Sequence, residues 1–225
     1  MRGLFRWDSP VMQKLAKITN LIMLNILWIV CSIPVITMGA ATTALYYTIF
    51  QMQTKEEDAV LRTFFRGFVQ NFKQATLLWL PLMAAMALLG FNLLYMNVYG
   101  GSTILWIAVI FMSVAVLLVQ SQLLPMLARF EMKNMAIVKT SCVLTVMHFL
   151  SCLLMAALNV IPIVAFFADL DVFMQWLPLW SGLWFALIAY INGRMLLKIW
   201  KKHMPAEEVP AETEALPEED TENAE

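Results

Sequence analysis

The chain has 225 residues, 61% apolar and only 14% charged, with a mean hydropathy of +0.72. A soluble domain is nearer half apolar with about a quarter of its residues charged, and several uncharged runs here exceed the ~18 residues that mark a spanning helix. An ordinary soluble globule is excluded, and the chain reads as an all-α, multi-pass integral membrane protein.

The net charge of −1 conceals an asymmetry, because nine of the 16 acids follow His203. Residues 1–202 keep all 15 Lys and Arg against 7 acids, a net charge of +8 that suits an anionic cytoplasmic leaflet. These cations sit in short clusters between apolar runs, a pattern that does not suggest nucleic acid. Three cysteines, Cys31, Cys142 and Cys152, lie inside apolar runs without CxxC spacing. They support neither a disulfide framework nor a zinc site.

Residues 1–202 form the expected membrane domain. Its first segment, 1–17, carries Arg2, Arg6, Lys14 and Lys17 among Phe5, Trp7 and Val11, an amphipathic lead-in at the interface. Such a start also has the form of a signal peptide, with Gly39-Ala40-Ala41 as its cleavage site. Cleavage there would leave the basic 51–73 segment outside, against the charge rule.

Residues 18–53 are read as a helical hairpin. The run breaks at Ser32-Ile33-Pro34, where proline removes a backbone donor and disfavours helix at the preceding residue. Each arm, roughly 18–33 and 37–53, is about 25 Å long, short of a ~30 Å hydrocarbon core. Two short spans and a re-entrant loop both satisfy this pattern. The motif residues are Pro34, Thr37, Gly39, Ala40 and Thr42, the small ones allowing close helix approach.

Residues 54–73 are expected to be a cytoplasmic loop containing an interfacial helix. Leu61, Phe64, Phe65, Phe68 and Phe72 recur at helical spacing with Arg62, Arg66 and Lys73 among them. Arg62, Arg66, Phe68, Phe72 and Lys73 are therefore candidates for contact with lipid headgroups or a partner. Four transmembrane helices follow at 74–97, 103–128, 140–168 and 172–193. The segment 203–225 is acidic, rich in Pro and Ala, and reads as a disordered cytoplasmic tail.

Positive charge then orients the chain. Four segments (the start, 51–73, 129–139 and the exit after Asn192) hold every Lys and Arg, while the connections at 98–102 and 169–171 hold none. Cytoplasmic loops collect such residues. All four share one side only if 18–53 returns to the side it came from. The expectation is an even number of crossings with both termini cytoplasmic.

The most ordered polar pattern lies on 140–168, where Ser141, Thr145, His148, Cys152, Met155, Asn159 and Pro162 follow alternating steps of four and three along one helix stripe. The stripe serves either as interhelical glue or as the lining of a path. His148 lies at membrane depth, where an ionisable group is a functional candidate, but no acid lies within any span to complete a triad with Ser151. Trp176, Trp180 and Trp184 are spaced as an interfacial aromatic belt. No nucleotide-binding loop, HExxH or paired-carboxylate motif occurs. No catalytic, cofactor or metal residue is assigned.

The run LNILWIVCSIPVITMGAATTALYY followed by FFRGFVQNFKQAT resembles the YesL family of bacterial multi-pass membrane proteins, a family of unknown function. The resemblance spans roughly 1–203, leaving the acidic tail outside it. It implies a location in the bacterial inner membrane and an association with carbohydrate-uptake genes, but no activity and no catalytic residues. The expectation is a non-enzymatic accessory or regulatory partner of a carbohydrate transporter subunit, needing no cofactor. The alternative is a small carrier or channel whose path the 141–162 stripe lines.

Overall fold

The structure is a computed structural model that describes residues 10–54 and 59–203. Among them it is all helical: α1 (Pro10–Ser32), a 3₁₀ turn (Val35–Thr37), α2 (Met38–Thr54), α3 (Val60–Tyr99), α4 (Thr103–Arg129), α5 (Asn134–Met147), α6 (Phe149–Ala168), α7 (Leu170–Gln175), α8 (Leu177–Leu179), a π turn (Trp180–Trp184) and α9 (Phe185–His203). Five helical stretches are long and apolar enough to cross a membrane: Leu15–Ser32, Val60–Tyr99, Thr103–Arg129, Phe149–Ala168 and Leu177–Lys202. Their outward side chains are apolar, as Leu88, Phe91, Ile104, Phe111 and Leu150 illustrate. A surface of that size and polarity belongs in hydrocarbon rather than water.

The second arm of the hairpin, α2, is not among those five, and its position explains why. It packs against α1, α3, α4 and α9. Gly39, Ala40, Ala41, Thr43, Ala44, Leu45, Tyr46, Thr48, Ile49 and Phe50 are all buried. A helix enclosed by other helices needs no lipid-facing stripe, so the moderate hydropathy of MGAATTALYYTIFQMQT is compatible with the centre of the bundle. Thr42, Thr43, Thr48 and Thr54 return their hydroxyls to carbonyls one turn back on the same helix.

Small residues set how close the neighbours come. A Cβ on Gly39 would collide with Cβ of Trp79 on α3, and one on Gly67 would fall 2.7 Å from Cδ1 of Tyr47 on α2. Two glycines, one on each helix, thus let α2 and α3 pack backbone to side chain. At the far end of α2 the chain gathers aromatics. Phe50 lies 5.4 Å from Trp200 and Phe130 5.2 Å from the same ring, with the Arg129 guanidinium over Phe50 at 5.8 Å. The C-terminal ends of α2, α4 and α9 therefore meet at one pole.

Several expected segments join or divide differently. The interfacial helix expected in 54–73 and the span 74–97 are one 40-residue helix, because nothing at Lys73-Gln74 breaks helix and the first four turns lie along α2. Pro81 sits within it. Lead-in residues from Pro10 onward are the first turns of α1, while 1–9 lie outside the described residues. The 140–168 segment is two helices, α5 and α6, divided at His148, whose φ of −120° and ψ of 39° leave the helical region. Segment 172–193 is subdivided as well. Asp169 caps α7 by accepting from the Asp171 and Val172 amides, Pro178 sits in the first turn of α8, and the π turn precedes α9. The acidic tail from residue 204 also lies outside the described residues.

Gly39→Leu is expected to destabilise the folded protein in detergent by about 1–3 kcal/mol through overpacking against Trp79. Gly90, where an added Cβ would meet nothing within 4 Å, provides the control: Gly90→Ala should leave the thermal unfolding temperature unchanged or slightly raised.

Candidate functional site at the hairpin and its cavity

The tip of the hairpin is apolar and exposed. Ile33, Val35 and Ile36 are 74%, 54% and 55% exposed, surrounding the bend that Pro34 imposes. A bend in such surroundings leaves carbonyls without helical partners, and unsatisfied polar groups are costly in hydrocarbon. Side chains supply the missing donors. The Thr37 hydroxyl lies 2.7 Å from both the Cys31 and Pro34 carbonyls, and the Thr37 amide donates to the Pro34 carbonyl at 2.9 Å. The Trp79 indole reaches over from α3 and donates to the Val35 carbonyl at 2.9 Å.

A second set of bonds ties the hairpin arms to their neighbours. Trp28 on α1 donates through its indole to the Thr42 hydroxyl on α2 at 3.1 Å. Asn25, fully buried on α1, donates to the Trp180 and Ser181 carbonyls at 3.3 and 2.6 Å and accepts from the Ala186 amide at 3.0 Å. These are backbone groups of the π turn and the helix start beyond it. An i→i+5 turn displaces groups from the regular ladder, and one carboxamide serves both donor and acceptor there. Gln53 donates to the Tyr190 carbonyl at 2.9 Å, and Asn192 donates to the Tyr46 hydroxyl at 3.4 Å.

The candidate residues of the hairpin motif come together at this place. Pro34 and Thr37 form the bend, Gly39 meets Trp79, Ala40 is fully buried, and Thr42 receives Trp28. The candidate stripe divides. Ser141 and Thr145 on α5, with Cys152, Met155 and Pro162 on α6, turn inward. Ser141 donates to the Met126 sulfur at 3.7 Å and the Gln122 amide to the Cys152 sulfur at 3.0 Å. Those contacts hold α5 and α6 to α4. His148 is half-buried at the break, with helical backbone bonds kept on either side of it. Asn159 donates to the Met155 carbonyl at 2.8 Å and lines a cavity.

The aromatic and basic candidates on α3 are rearranged by the packing on α2. Phe64 is fully buried and Phe68 is half-buried, with the two rings stacked 6.3 Å apart. Leu61, Phe65, Val69 and Phe72 form the exposed apolar row instead, with Arg62, Arg66 and Lys73 exposed beside it. The row is displaced because the face of α3 bearing Val60, Thr63, Phe64 and Gly67 is buried. The tryptophan belt changes for a similar reason. Only Trp176 is exposed, while Trp180 is buried and donates to the Phe173 carbonyl at 3.3 Å.

Between α1, α2, α3, α4, α6, α7 and α9 lies a cavity of about 500 Å³. Its walls are dominated by aromatics and aliphatics, including Trp28, Tyr46, Trp79, Phe166 and Phe185, with Gln120, Ser121 and Asn159 as polar elements. Among the described residues no group of three or more His, Cys, Asp or Glu could hold a metal ion. Asn25 and Trp79 were not candidates on sequence grounds. A lone asparagine within LIMLNILWIV was the available signal for the first.

Residues 21–93 match a protein family described as "Protein of unknown function, DUF624". The matched stretch covers the hairpin and most of α3, the segment with the built tip. No curated protein and no solved structure matches the chain.

Trp79→Phe removes the donor to the Val35 carbonyl while keeping an aromatic ring. The expected cost is about 1–3 kcal/mol for an unsatisfied backbone group, read as a lower denaturant midpoint in detergent.

Proposed function

We propose that this protein is a non-enzymatic, multi-pass protein of the bacterial inner membrane that acts as an accessory or regulatory partner of carbohydrate transport. The carrying observation is the exposed face of the first turns of α3, where Leu61, Phe65, Val69 and Phe72 run beside Arg62, Arg66 and Lys73. A row of apolar side chains flanked by cations suits either anionic headgroups or an acidic amphipathic surface on a partner. The choice of carbohydrate transport rests on the resemblance to the YesL family, with which the match over 21–93 is compatible.

The proposed arrangement places the basic segments on the cytoplasmic side, with 18–53 as a re-entrant or short double-spanning hairpin. Two features support it. Arg129 lies over Phe50 and Trp200 packs on both Phe50 and Phe130, while Gln74, next to Lys73, donates to the Met132 carbonyl, so basic segments of α3, of 129–139 and of the C-terminal exit are tied together. Beyond Trp79, the residue that touches the tip, α3 runs on for about 30 Å to Tyr99, so the tip stops well short of the Gly100-Gly101 connection along α3. The alternative of a carrier path lined by the 141–162 stripe has weaker support. Ser141 and Cys152 are engaged with α4, and from the polar part of the stripe only Asn159 reaches the cavity.

Affinity purification from native membranes tests the functional reading. A carbohydrate-transporter subunit should co-purify with the wild-type chain. A variant carrying Arg62→Glu, Arg66→Glu and Lys73→Glu should lose it while changing stability by no more than about 0.5 kcal/mol per site. Recovery of no transporter subunit with the wild type would sink the reading. For the orientation, reporter fusions at residues 60 and 132 should both be active in the cytoplasm and one at 101 outside. A reporter at 60 that reads as external overturns the hairpin topology.

A further inference from the structure

The polar stripe and the aromatic-basic face leave one feature without a role: the cavity of about 500 Å³, within the 300–1,000 Å³ typical of ligand pockets. Its chemistry narrows the occupant. Among the described residues, none of the lining side chains is charged, so no ion pair is available to compensate a phosphate, carboxylate or ammonium group taken out of water.

Neutral sugars are disfavoured by a count of donors. A sugar ring presents hydroxyls all round its edge, and each must find a partner when buried. Yet the donors in the walls are already used within the protein. The Trp28 indole serves Thr42, the Trp79 indole serves Val35, and the Thr42, Ser121 and Asn159 side chains serve backbone carbonyls on their own helices. The Gln120 amide and the Tyr46 hydroxyl, which accepts from Asn192, are the two wall donors with no such commitment to a protein carbonyl, too few for the ring of hydroxyls a sugar presents.

An uncharged, aromatic and aliphatic enclosure suits hydrocarbon. The rim faces the source of it. Ile163, Phe166 and Phe167, which border the cavity on α6, are 55%, 47% and 79% exposed. They belong to a helix apolar enough to lie in the bilayer. An opening bordered by exposed apolar side chains on such a helix leads to lipid.

We propose that this cavity binds one hydrocarbon chain of a bilayer lipid, which enters past Phe167 and lies between Trp28, Tyr46 and Phe185. The bound chain touches both the hairpin and α6, and so bridges elements that otherwise meet across the cavity. This proposal does not rest on the transport reading.

The test uses the full chain reconstituted into phosphatidylglycerol vesicles. They contain a fraction of phosphatidylglycerol with a photoactivatable diazirine on one acyl chain, and labelled peptides are mapped by mass spectrometry. Label is expected on interior residues of α2 and α9 that line the cavity, as well as on outward residues such as Phe111. Ala156→Phe and, separately, Ala189→Phe project a ring into the cavity and should abolish the interior label while sparing that on Phe111. Gln120→Leu should retain it.

Interior residues that remain unlabelled in the wild type overturn the proposal, whatever the variants do. So does interior label that persists in a filled variant with unchanged elution and outer labelling. Displacement of interior label by excess maltotriose also overturns it, in favour of a saccharide site. If one filled variant fails to fold, the wild-type map and the other variant decide.

Discussion

Everything in this molecule depends on one constraint: a chain that reverses in apolar surroundings must satisfy its backbone from within. Pro34 makes the reversal and frees carbonyls at Cys31, Pro34 and Val35 to accept from Thr37 and Trp79. Unsatisfied polar groups in hydrocarbon cost several kcal/mol each, whereas an interhelical side-chain bond in a membrane contributes about 0.6 kcal/mol on average. The bonds therefore matter more for what their loss would expose than for what they add. Because Trp79 belongs to α3, the Val35 carbonyl has this donor only when α3 is docked, and the tight Gly39–Trp79 approach is what brings that indole within reach.

The same logic operates at the other break in the bundle. The π turn at Trp180–Trp184 interrupts its ladder, and Asn25 bonds to the carbonyls of Trp180 and Ser181 and to the amide of Ala186. A fully buried carboxamide is unfavourable by itself; here it is satisfied by a distortion that would be unfavourable by itself. Two local departures from regular helix, one in the first hairpin arm's surroundings and one near the C-terminal helix, are thus compensated by residues on α1 and α3. Polar side chains within these spans are engaged either as cross-braces, as Asn25, Trp28, Gln53 and Trp79 are, or with carbonyls of their own helices, as Thr43, Ser121 and Asn159 are, which leaves few of them for contact with a ligand.

Enclosure also separates the surfaces by purpose. Burial of α2 on all sides directs Phe64 and Phe68 of α3 inward and leaves Phe65, Val69 and Phe72 beside the cations. The exposed aromatic-basic face is thus made by residues in the first turns of α3, whereas the only α3 residue lining the cavity is Trp79, further along the same helix.

Much of the plan was legible in the chain. Run lengths without charge marked the apolar spans, because transfer of a helix into hydrocarbon depends on its composition. Ser32-Ile33-Pro34 marked the reversal, because proline acts on its own neighbours. Those are local effects, and local effects are carried by adjacent residues. Other features depended on which helices become neighbours: the continuity of α3 through Lys73, the break at His148, the burial of Trp180, and the cavity itself. Helical periodicity identifies a face that recurs every three to four residues, but it does not say which face meets another helix and which meets lipid, since both are apolar. In water a hydrophobic stripe locates the core; in a membrane only the close packing of Gly39, Gly67 and their partners decides it.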